Sequence, residues 1–169
     1  FSNAPAWYTA QIATLARAHG LPAPVGLHYS YSLVDRGAEL DIVPAGEALG
    51  MGLVAWSPLA AGLLTGKYGR EKLAAQGPAG SLPDRASETQ QGGSDGRLNG
   101  DNPFGGMLFT EQNFAVVDVL RGVAEELGRP MAQVALAWAT KRACVSSVLI
   151  GASRPEQLRE NIAALDIVL

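Results

Sequence analysis

The segment between Met51 and Tyr68 holds the residues whose types and spacing could do chemistry. A short apolar run there ends at Trp56 and is followed by Ser57-Pro58, and then by Gly62, Gly66 and Lys67. Proline ends a strand because it has no N–H for the ladder, glycines allow close approach to the backbone, and the lysine adds a cation. This order is typical of a nucleotide cofactor held above a parallel sheet. The same residues also fit a buried tryptophan followed by a structural loop.

Strands and helices alternate along the chain, which indicates an α/β fold. Apolar runs predict strands at 25–29, 52–56 and 146–150, and a 3.6-residue period predicts helices at 5–18, 39–49, 110–127, 130–142 and 153–164. The order of strand, helix and strand implies a parallel sheet with right-handed crossovers. We expect the strand at 52–56 to be buried on both faces, because it is apolar throughout.

Three segments carry more specific signals. In the first helix, an apolar face is predicted from the helical spacing of Tyr8, Ile12, Leu15 and Ala16. The last helix begins with Ser153 and has Glu156 three residues later, which is the pattern of a capping box. Residues 69–107 are rich in glycine and proline and have no apolar periodicity, so we predict a long loop that acts as a lid or is disordered.

Polar residues and glycines cluster where the predicted strands end. Ser2-Asn3 precedes the first helix, His28 lies near the end of the first strand, and residues 151–153 lead from the third strand into a helix. Because parallel strands end at one edge of a sheet, these positions should share that edge. The helix N-terminus at 151–153 favours an anionic group. Taken singly, a Ser-Asn pair is more often a turn, and a serine at that helix is more often only a cap.

Three parallel strands do not close a sheet on themselves. A (β/α)8 barrel has eight strands and typically about 250 residues, whereas this chain has 169 residues. It also opens at Phe1, without a methionine, in the middle of a motif. We therefore expect residues 1–169 to form one portion of a larger domain.

Composition and charge argue against several classes of function. The formal net charge is -3 and no basic run occurs, which argues against nucleic-acid binding. No apolar stretch reaches the roughly 18 residues of a membrane span, and no signal peptide is recognisable, so we expect a soluble protein. The single cysteine, Cys144, fits a reducing compartment such as the cytoplasm. With two histidines and no clustered ligands at metal spacing, a metal site is not expected.

Five ordered motifs resemble the C-terminal half of an aldo-keto reductase, and they span the chain except for the loop at 69–107. They are Ser2-Asn3 with Pro5-Ala6-Trp7; Tyr31-Ser32-Leu33-Val34 with Arg36 and Glu39; Gly50-Met51-Gly52 with Trp56-Ser57-Pro58-Leu59 and 62–68; 132–138; and Gly151-Ala152-Ser153 with 155–158 and Asn161. The resemblance implies a partial (β/α)8 TIM barrel, in which residues 1–169 form the C-terminal half with about three parallel strands and their helices. It also implies NADPH as the cofactor and a small aldehyde or ketone as the substrate.

The resemblance also implies a role for each residue of the cofactor site. Ser2, Asn3 and His28 would hold the nicotinamide carboxamide, and Trp56 would stack on the ring. The pyrophosphate would be lined by Ser57, Pro58, Leu59, Ala60 and Lys67. The adenosine end would be held by Gly151, Ser153, Gln157, Glu160 and Asn161. From the lid, Arg85 would cross over the cofactor, whereas Arg36 and Glu39 are interpreted as a structural ion pair.

The chain departs from the family pattern in two ways. His28 stands where the family usually has a glutamine that helps to bind the carboxamide. A neutral imidazole can donate or accept one such hydrogen bond, but not both at once. The catalytic Asp, Tyr, Lys and His of the family lie on earlier strands, and no match to that tyrosine is found among Tyr8, Tyr29, Tyr31 and Tyr68. Because carbonyl reduction needs that positioned acid, we expect no turnover by this chain alone.

The sequence leaves three interpretations open. The preferred one is the cofactor-binding half of an NADPH-dependent reductase of aldehydes or ketones. The second is a non-catalytic subunit that senses NADP(H) or assists assembly, as the resemblance to potassium-channel beta subunits allows. The third is a chain with no function of its own, whose unpaired strand edges and apolar faces lead to self-association.

Overall fold

The computed structural model describes residues 1–74, Leu98 and residues 105–169. Within these ranges the helices are α1 (Ala6–Ala18), α2 (Ile42–Leu49), α3 (Glu71–Ala74), α4 (Gly105–Leu108), α5 (Glu111–Leu127), α6 (Met131–Thr140) and α7 (Pro155–Ile162). The strands are β1 (Gly26–Ser30), β2 (Gly52–Trp56) and β3 (Val145–Val148), and 3-10 turns lie at Gly37–Glu39, Ala60–Thr65 and Ala163–Asp166. Most of the predicted loop at 69–107, including Arg85, lies outside the described residues.

The strands form one parallel sheet in the order β1-β2-β3. β1 and β2 pair along their whole length, so that their last residues, Ser30 and Trp56, lie opposite each other. β3 pairs with β2 across a register shift that follows Leu53. Ahead of β1, Ser2 forms a parallel bridge with His28, and the first residues therefore extend the sheet beyond β1. The predicted alternation of strands and helices and the parallel pairing are confirmed.

Glycine in the left-handed conformation ends three of the helices. Gly20 has φ +64° just after α1, Gly50 has φ +73° after α2, and Gly128 has φ +60° after α5. Each glycine is followed by a residue whose amide donates back into the helix, which is the geometry of a Schellman cap. At the other end of α5, the Thr110 hydroxyl oxygen accepts a hydrogen bond from the Asn113 amide at 3.1 Å. These local signals place the helix ends within two residues of the predicted ones.

The helices cover one face of the sheet and build the core there. One cluster joins α1 and α2 to the sheet and includes Ala13, Leu27, Tyr29, Ile42, Met51, Leu53 and Ala55. A second cluster joins the turn after β2 to α5 and α6 and includes Leu63, Leu64, Phe114, Val117, Leu120, Val134 and Ala137. The two clusters therefore fix the sheet, including its carboxyl edge, against the helices.

The prediction that β2 is buried on both faces is wrong. Leu53 and Ala55 are buried at 1% and 0% exposure, but Gly52, Val54 and Trp56 on the opposite face are only half-buried. Strand residues alternate between faces, and the three strands of the described structure do not curve far enough to cover the second face. The open face carries the polar groups of the candidate site.

The predicted apolar face of α1 is right for Ala16 but wrong for Tyr8 and Leu15, and the predicted capping box of α7 is wrong. In α1 the buried residues are Thr9, Ala13 and Ala16, whereas Tyr8 and Leu15 are 41% and 46% exposed. Small side chains let α1 lie close to its neighbours, and this shifts its buried face by about one position. In α7 the expected capping box is not formed, because Pro155 occupies the first helical position and makes Arg154 the N-cap.

A close contact between α2 and β1 gives a test of this packing. A Cβ atom on Gly46 would lie 2.6 Å from the buried Leu27 Cδ1 and 3.1 Å from the Met51 carbonyl oxygen. We expect Gly46→Ala to lower the free energy of unfolding by about 1–3 kcal/mol, as overpacking does, in urea denaturation. Gly122→Ala on α5 is the matched control, because a Cβ there meets no atom within 4 Å; it should raise stability by about 0.5–1 kcal/mol. Equal effects of the two changes would contradict the packing described.

Candidate functional site

Four side chains predicted to hold one group meet at the carboxyl edge of the sheet. Ser2 Oγ lies 3.0 Å from His28 Nδ1, and Trp56 Nε1 donates to Asn3 Oδ1 at 3.4 Å. The His28 and Trp56 rings are 6.4 Å apart between centroids and are tilted by 48°. Ser2 and Asn3 are exposed, and the two rings are half-buried. The cluster thus presents hydrogen-bonding groups beside an aromatic surface.

Backbone pairing holds this cluster in place. The Asn3 amide donates to the His28 carbonyl oxygen at 3.1 Å, and the His28 amide donates to the Phe1 carbonyl oxygen at 2.6 Å. Asn3 itself has φ +50°, in the left-handed region that asparagine tolerates better than most residues. The Tyr29 hydroxyl also donates to the Ala4 carbonyl oxygen from the buried face. Both faces of the sheet therefore anchor residues 1–4.

The loop after Trp56 has an unusual backbone. Ser57, Ala60 and Ala61 have φ of +53°, +47° and +52°, and Gly62 has φ +98°. The Ala60 amide donates to the Ser57 carbonyl oxygen at 2.9 Å, and the Gly62 amide donates to the Leu59 carbonyl oxygen at 2.9 Å. Two of the amides that a tight turn could offer to a ligand are therefore used within the loop.

Side chains of this loop supply the remaining polar groups. The Ser57 hydroxyl oxygen accepts from the Ala61 amide at 3.4 Å, which leaves the hydroxyl hydrogen free to donate. Lys67 is exposed, and its ammonium lies 5.1 Å from the centroid of the Tyr68 ring. It folds back over Gly62, where a Cβ would lie 3.0 Å from Lys67 Nζ, so the glycine makes room for the cation. Pro58 and Ala60 have buried side chains, and Leu59 is half-buried.

The predicted residues at the third strand surround the beginning of α7. Gln157 Oε1 accepts hydrogen bonds from the Ser153 amide at 2.9 Å and from the Ser153 hydroxyl at 3.0 Å. Gly151 and Glu160 are exposed, and Asn161 is half-buried. Gln157 and Asn161 are four residues apart on one face of α7, and Ser153 joins them from the segment before the helix through its hydrogen bonds to Gln157. The strand that leads into this segment, β3, is the neighbour of β2 in the sheet.

Next to the site, a partly exposed cluster of charged and aromatic side chains links the end of β1 to the end of α6. Glu39 accepts hydrogen bonds from the Tyr31 hydroxyl at 2.6 Å and from Arg36 Nε and Nη2 at 2.9 and 2.8 Å. Arg142 Nη2 lies 3.8 Å from Glu39, and the Tyr31 ring stacks on Trp138 at 5.3 Å between centroids. The hydrogen bond from Arg36 lowers the pKa of Glu39. Burial, followed by the bond to Glu39, raises the pKa of Tyr31 to about 12. The predicted ion pair between Arg36 and Glu39 is formed.

Among the described residues, no helix combines the length and apolar character needed to cross a bilayer. Within 1–74, Leu98 and 105–169, no group of three or more His, Cys, Asp and Glu side chains could hold a metal ion.

Comparison with known proteins identifies the family. The model of the aldo/keto reductase family matches residues 1–169. The chain belongs to the aldo/keto reductase family. Its open parallel sheet is accordingly part of the TIM barrel of that family, as the sequence motifs predicted. Aldo/keto reductases typically use nicotinamide cofactors and carbonyl substrates.

Similar aldo/keto reductase relatives have different described roles. An L-glyceraldehyde 3-phosphate reductase of Escherichia coli O157:H7 is 36% identical over 88% of this chain and 39% of its own length. A probable voltage-gated potassium channel subunit beta of Oryza sativa subsp. japonica is 32% identical over 96% of this chain and 45% of its own. An aldo-keto reductase of Pseudocercospora fijiensis is 30% identical over 97% of this chain and 52% of its own length. The chain thus spans about half, or less, of the length of these curated relatives.

Sequence reasoning missed two partners in this aldo/keto reductase chain. One is the bond that orients Asn3 against Trp56, and the other is Arg142, which joins Arg36 at Glu39. The spacing of these residues in the sequence carries no signal for either contact. The pairing of residues 1–3 with β1 brings Asn3 to Trp56, and the stacking of Tyr31 on Trp138 of α6 brings Arg142 to Glu39.

The cluster at Glu39 gives a pH-dependent prediction. Because the pKa of Glu39 is lowered in the folded protein, its carboxylate stabilises the fold at neutral pH, and this is lost as pH falls below about 4.3. We expect Glu39→Gln to lower stability by about 1–2 kcal/mol at pH 7, with the difference from wild type shrinking towards about pH 3. Urea denaturation at several pH values measures this. Glu125→Gln, on an exposed position of α5, should show no such trend; a Glu39→Gln deficit that is constant with pH would contradict the assignment.

Proposed function

We propose that this chain is the cofactor-binding portion of an NADPH-dependent aldo/keto reductase that reduces small aldehydes or ketones. The observation that carries the proposal is the meeting of Ser2, Asn3, His28 and Trp56 at the carboxyl edge of a parallel sheet. Three polar side chains can hold a carboxamide there, and the indole gives a flat surface on which a nicotinamide ring can stack. In α/β folds this edge is where cofactors bind.

The loop after Trp56 supports a phosphate subsite next to the ring. The Ser57 hydroxyl and the exposed Lys67 ammonium are its free side-chain donors to an anion. The segment after the neighbouring strand β3 carries Ser153, and α7 carries Gln157 and Asn161. We assign these three residues, with Gly151 and Glu160, to the adenosine end. Residues 1–169 then form the C-terminal part of the reductase domain.

The polar groups of the described site bind and orient rather than transfer protons. Tyr29, Tyr31 and Tyr68 all have structural partners: Tyr29 bonds Ala4, Tyr31 bonds Glu39, and the Tyr68 hydroxyl accepts from the Leu98 amide at 3.0 Å. Tyr8 lies on α1 with 41% of its surface exposed. This supports the proposal that the acid for carbonyl reduction comes from outside this chain.

Cofactor titration tests the proposal directly. We expect NADPH to quench tryptophan fluorescence of the full-length protein, because the ring would lie on Trp56. Lys67→Met should weaken binding by about tenfold, the effect of losing one charged hydrogen bond to phosphate. Lys141→Met is the matched control, because Lys141 is exposed at the C-terminal end of α6, away from the loop. The absence of quenching at millimolar NADPH would contradict the proposal.

The potassium-channel beta subunits among the relatives favour a second candidate, a non-catalytic subunit that senses NADP(H) or assists assembly. Both candidates predict cofactor binding, so turnover separates them. The reductase should consume NADPH when a small aldehyde is added to the full-length protein, with a matching yield of alcohol. Tight NADPH binding without alcohol formation across a panel of aldehydes and ketones would favour the subunit.

Self-association of the isolated chain is a further part of the proposal. Its support is the apolar surface at the β3 side, where Leu149, Leu158 and Ile162 are 47%, 44% and 53% exposed, together with strand edges that can pair with another chain. We expect a polypeptide of residues 1–169 to sediment as a dimer or larger species. A single monomeric species that unfolds cooperatively would contradict this.

A further inference from the structure

We propose that His28 is the hydrogen-bond acceptor for the amino group of the nicotinamide carboxamide, and that protonation of its ring weakens cofactor binding. This inference rests on the proposed cofactor function and adds a pH response of the same site. The contacts of Ser2, Asn3, His28 and Trp56 define which of these side chains can donate and which can accept a hydrogen bond.

Asn3 is oriented by Trp56. The indole N–H can only donate, and it lies 3.4 Å from Asn3 Oδ1. This contact points the amide oxygen of Asn3 at the tryptophan and turns its NH₂ group away from it. Asn3 therefore offers a donor to a ligand, which suits the carbonyl oxygen of a carboxamide.

His28 is constrained by Ser2. Ser2 Oγ and His28 Nδ1 are 3.0 Å apart, so Nδ1 either donates to Ser2 or accepts from it. In the first tautomer Nε2 carries the lone pair and accepts; in the second it carries the hydrogen and donates. A carboxamide needs both a donor for its oxygen and an acceptor for its NH₂ group. With Asn3 as the donor, the ligand selects the tautomer in which His28 Nε2 accepts.

Among the described residues that flank β1, none carries a carboxylate that could pair with a charged His28, because residues 1–5 and β2 contain no Asp or Glu. Lys67 follows further along the β2 loop. His28 has the uncharged Ser2 and Trp56 at its ring. Protonation would give it donors on both nitrogens and leave the carboxamide NH₂ without an acceptor.

The test compares cofactor affinity at two pH values in the full-length protein. NADP⁺ dissociation constants would be measured by calorimetry at about pH 8 and about pH 5.5, the interval in which histidine side chains change charge. From the higher to the lower pH, the NADP⁺ affinity of wild type should fall by about tenfold or more beyond the fall measured for His28→Gln. The glutamine is the reference because its amide oxygen accepts a hydrogen bond at both pH values. The 2′-phosphate of the cofactor titrates equally in both proteins and cancels in this ratio. His19→Gln, on the other histidine, which is exposed after α1, should behave like wild type.

A cofactor analogue gives a second arm of the test, measured on the same two proteins. 3-Acetylpyridine adenine dinucleotide phosphate keeps the carbonyl oxygen and replaces the NH₂ group with a methyl group. Its affinity for wild type should fall no more with acidification than its affinity for His28→Gln does. An analogue that keeps the full pH dependence of NADP⁺ would overturn the acceptor role, as would equal NADP⁺ profiles for wild type and His28→Gln. Failure of both proteins to bind NADP⁺ at about pH 8 would instead contradict the proposed function itself.

Discussion

Parallel backbone pairing at β1 is the constraint on which the described site depends. Residues 1–3 pair on one side of β1 and β2 pairs on the other, so that Ser2 and Trp56 reach the edge from opposite neighbours of one strand. The hydrogen bonds from the Asn3 and His28 amides hold this arrangement at 3.1 and 2.6 Å. Side chains placed by strand register are held more precisely than side chains on a free loop. A shift of one residue would turn His28 to the opposite face of the sheet.

One face of the sheet is packed in the core, and the opposite face carries the polar groups of the candidate site. One face buries Leu27, Leu53 and Ala55 under α1 and α2, and the small residues there bring the helices close. The other face carries His28 and Trp56 and is only half-buried. Beside the site, Glu39 joins Tyr31 and two arginines, which ties the end of β1 to the end of α6. The carboxyl edge thus rests on a well-packed base while its polar groups stay accessible.

Membership of the aldo/keto reductase family and the local geometry of the site are independent observations, and both are consistent with a nicotinamide cofactor. The family match covers the whole chain, yet similar relatives are described both as reductases and as potassium channel subunits. Fold alone therefore does not choose between turnover and sensing. Under the proposed function, the side chains of the described site would bind and orient a ring, a carboxamide and phosphates, which either role needs.

The sequence by itself determined the alternation of strands and helices, the helix ends at Gly20, Gly50 and Gly128, and the edge at which the polar residues meet. These features follow from local periodicity, glycine conformation and the common direction of parallel strands. Only the tertiary structure decided the buried face of α1, the N-cap at Arg154, and the pairing of Asn3 with Trp56 and of Ser2 with His28. Helix packing set the buried face of α1, and the proline at the first helical position set the N-cap of α7. Neither feature can be predicted from the spacing of apolar residues. The last two join residues 53 and 26 positions apart, so they depend on strand register and side-chain rotamers that local sequence does not encode.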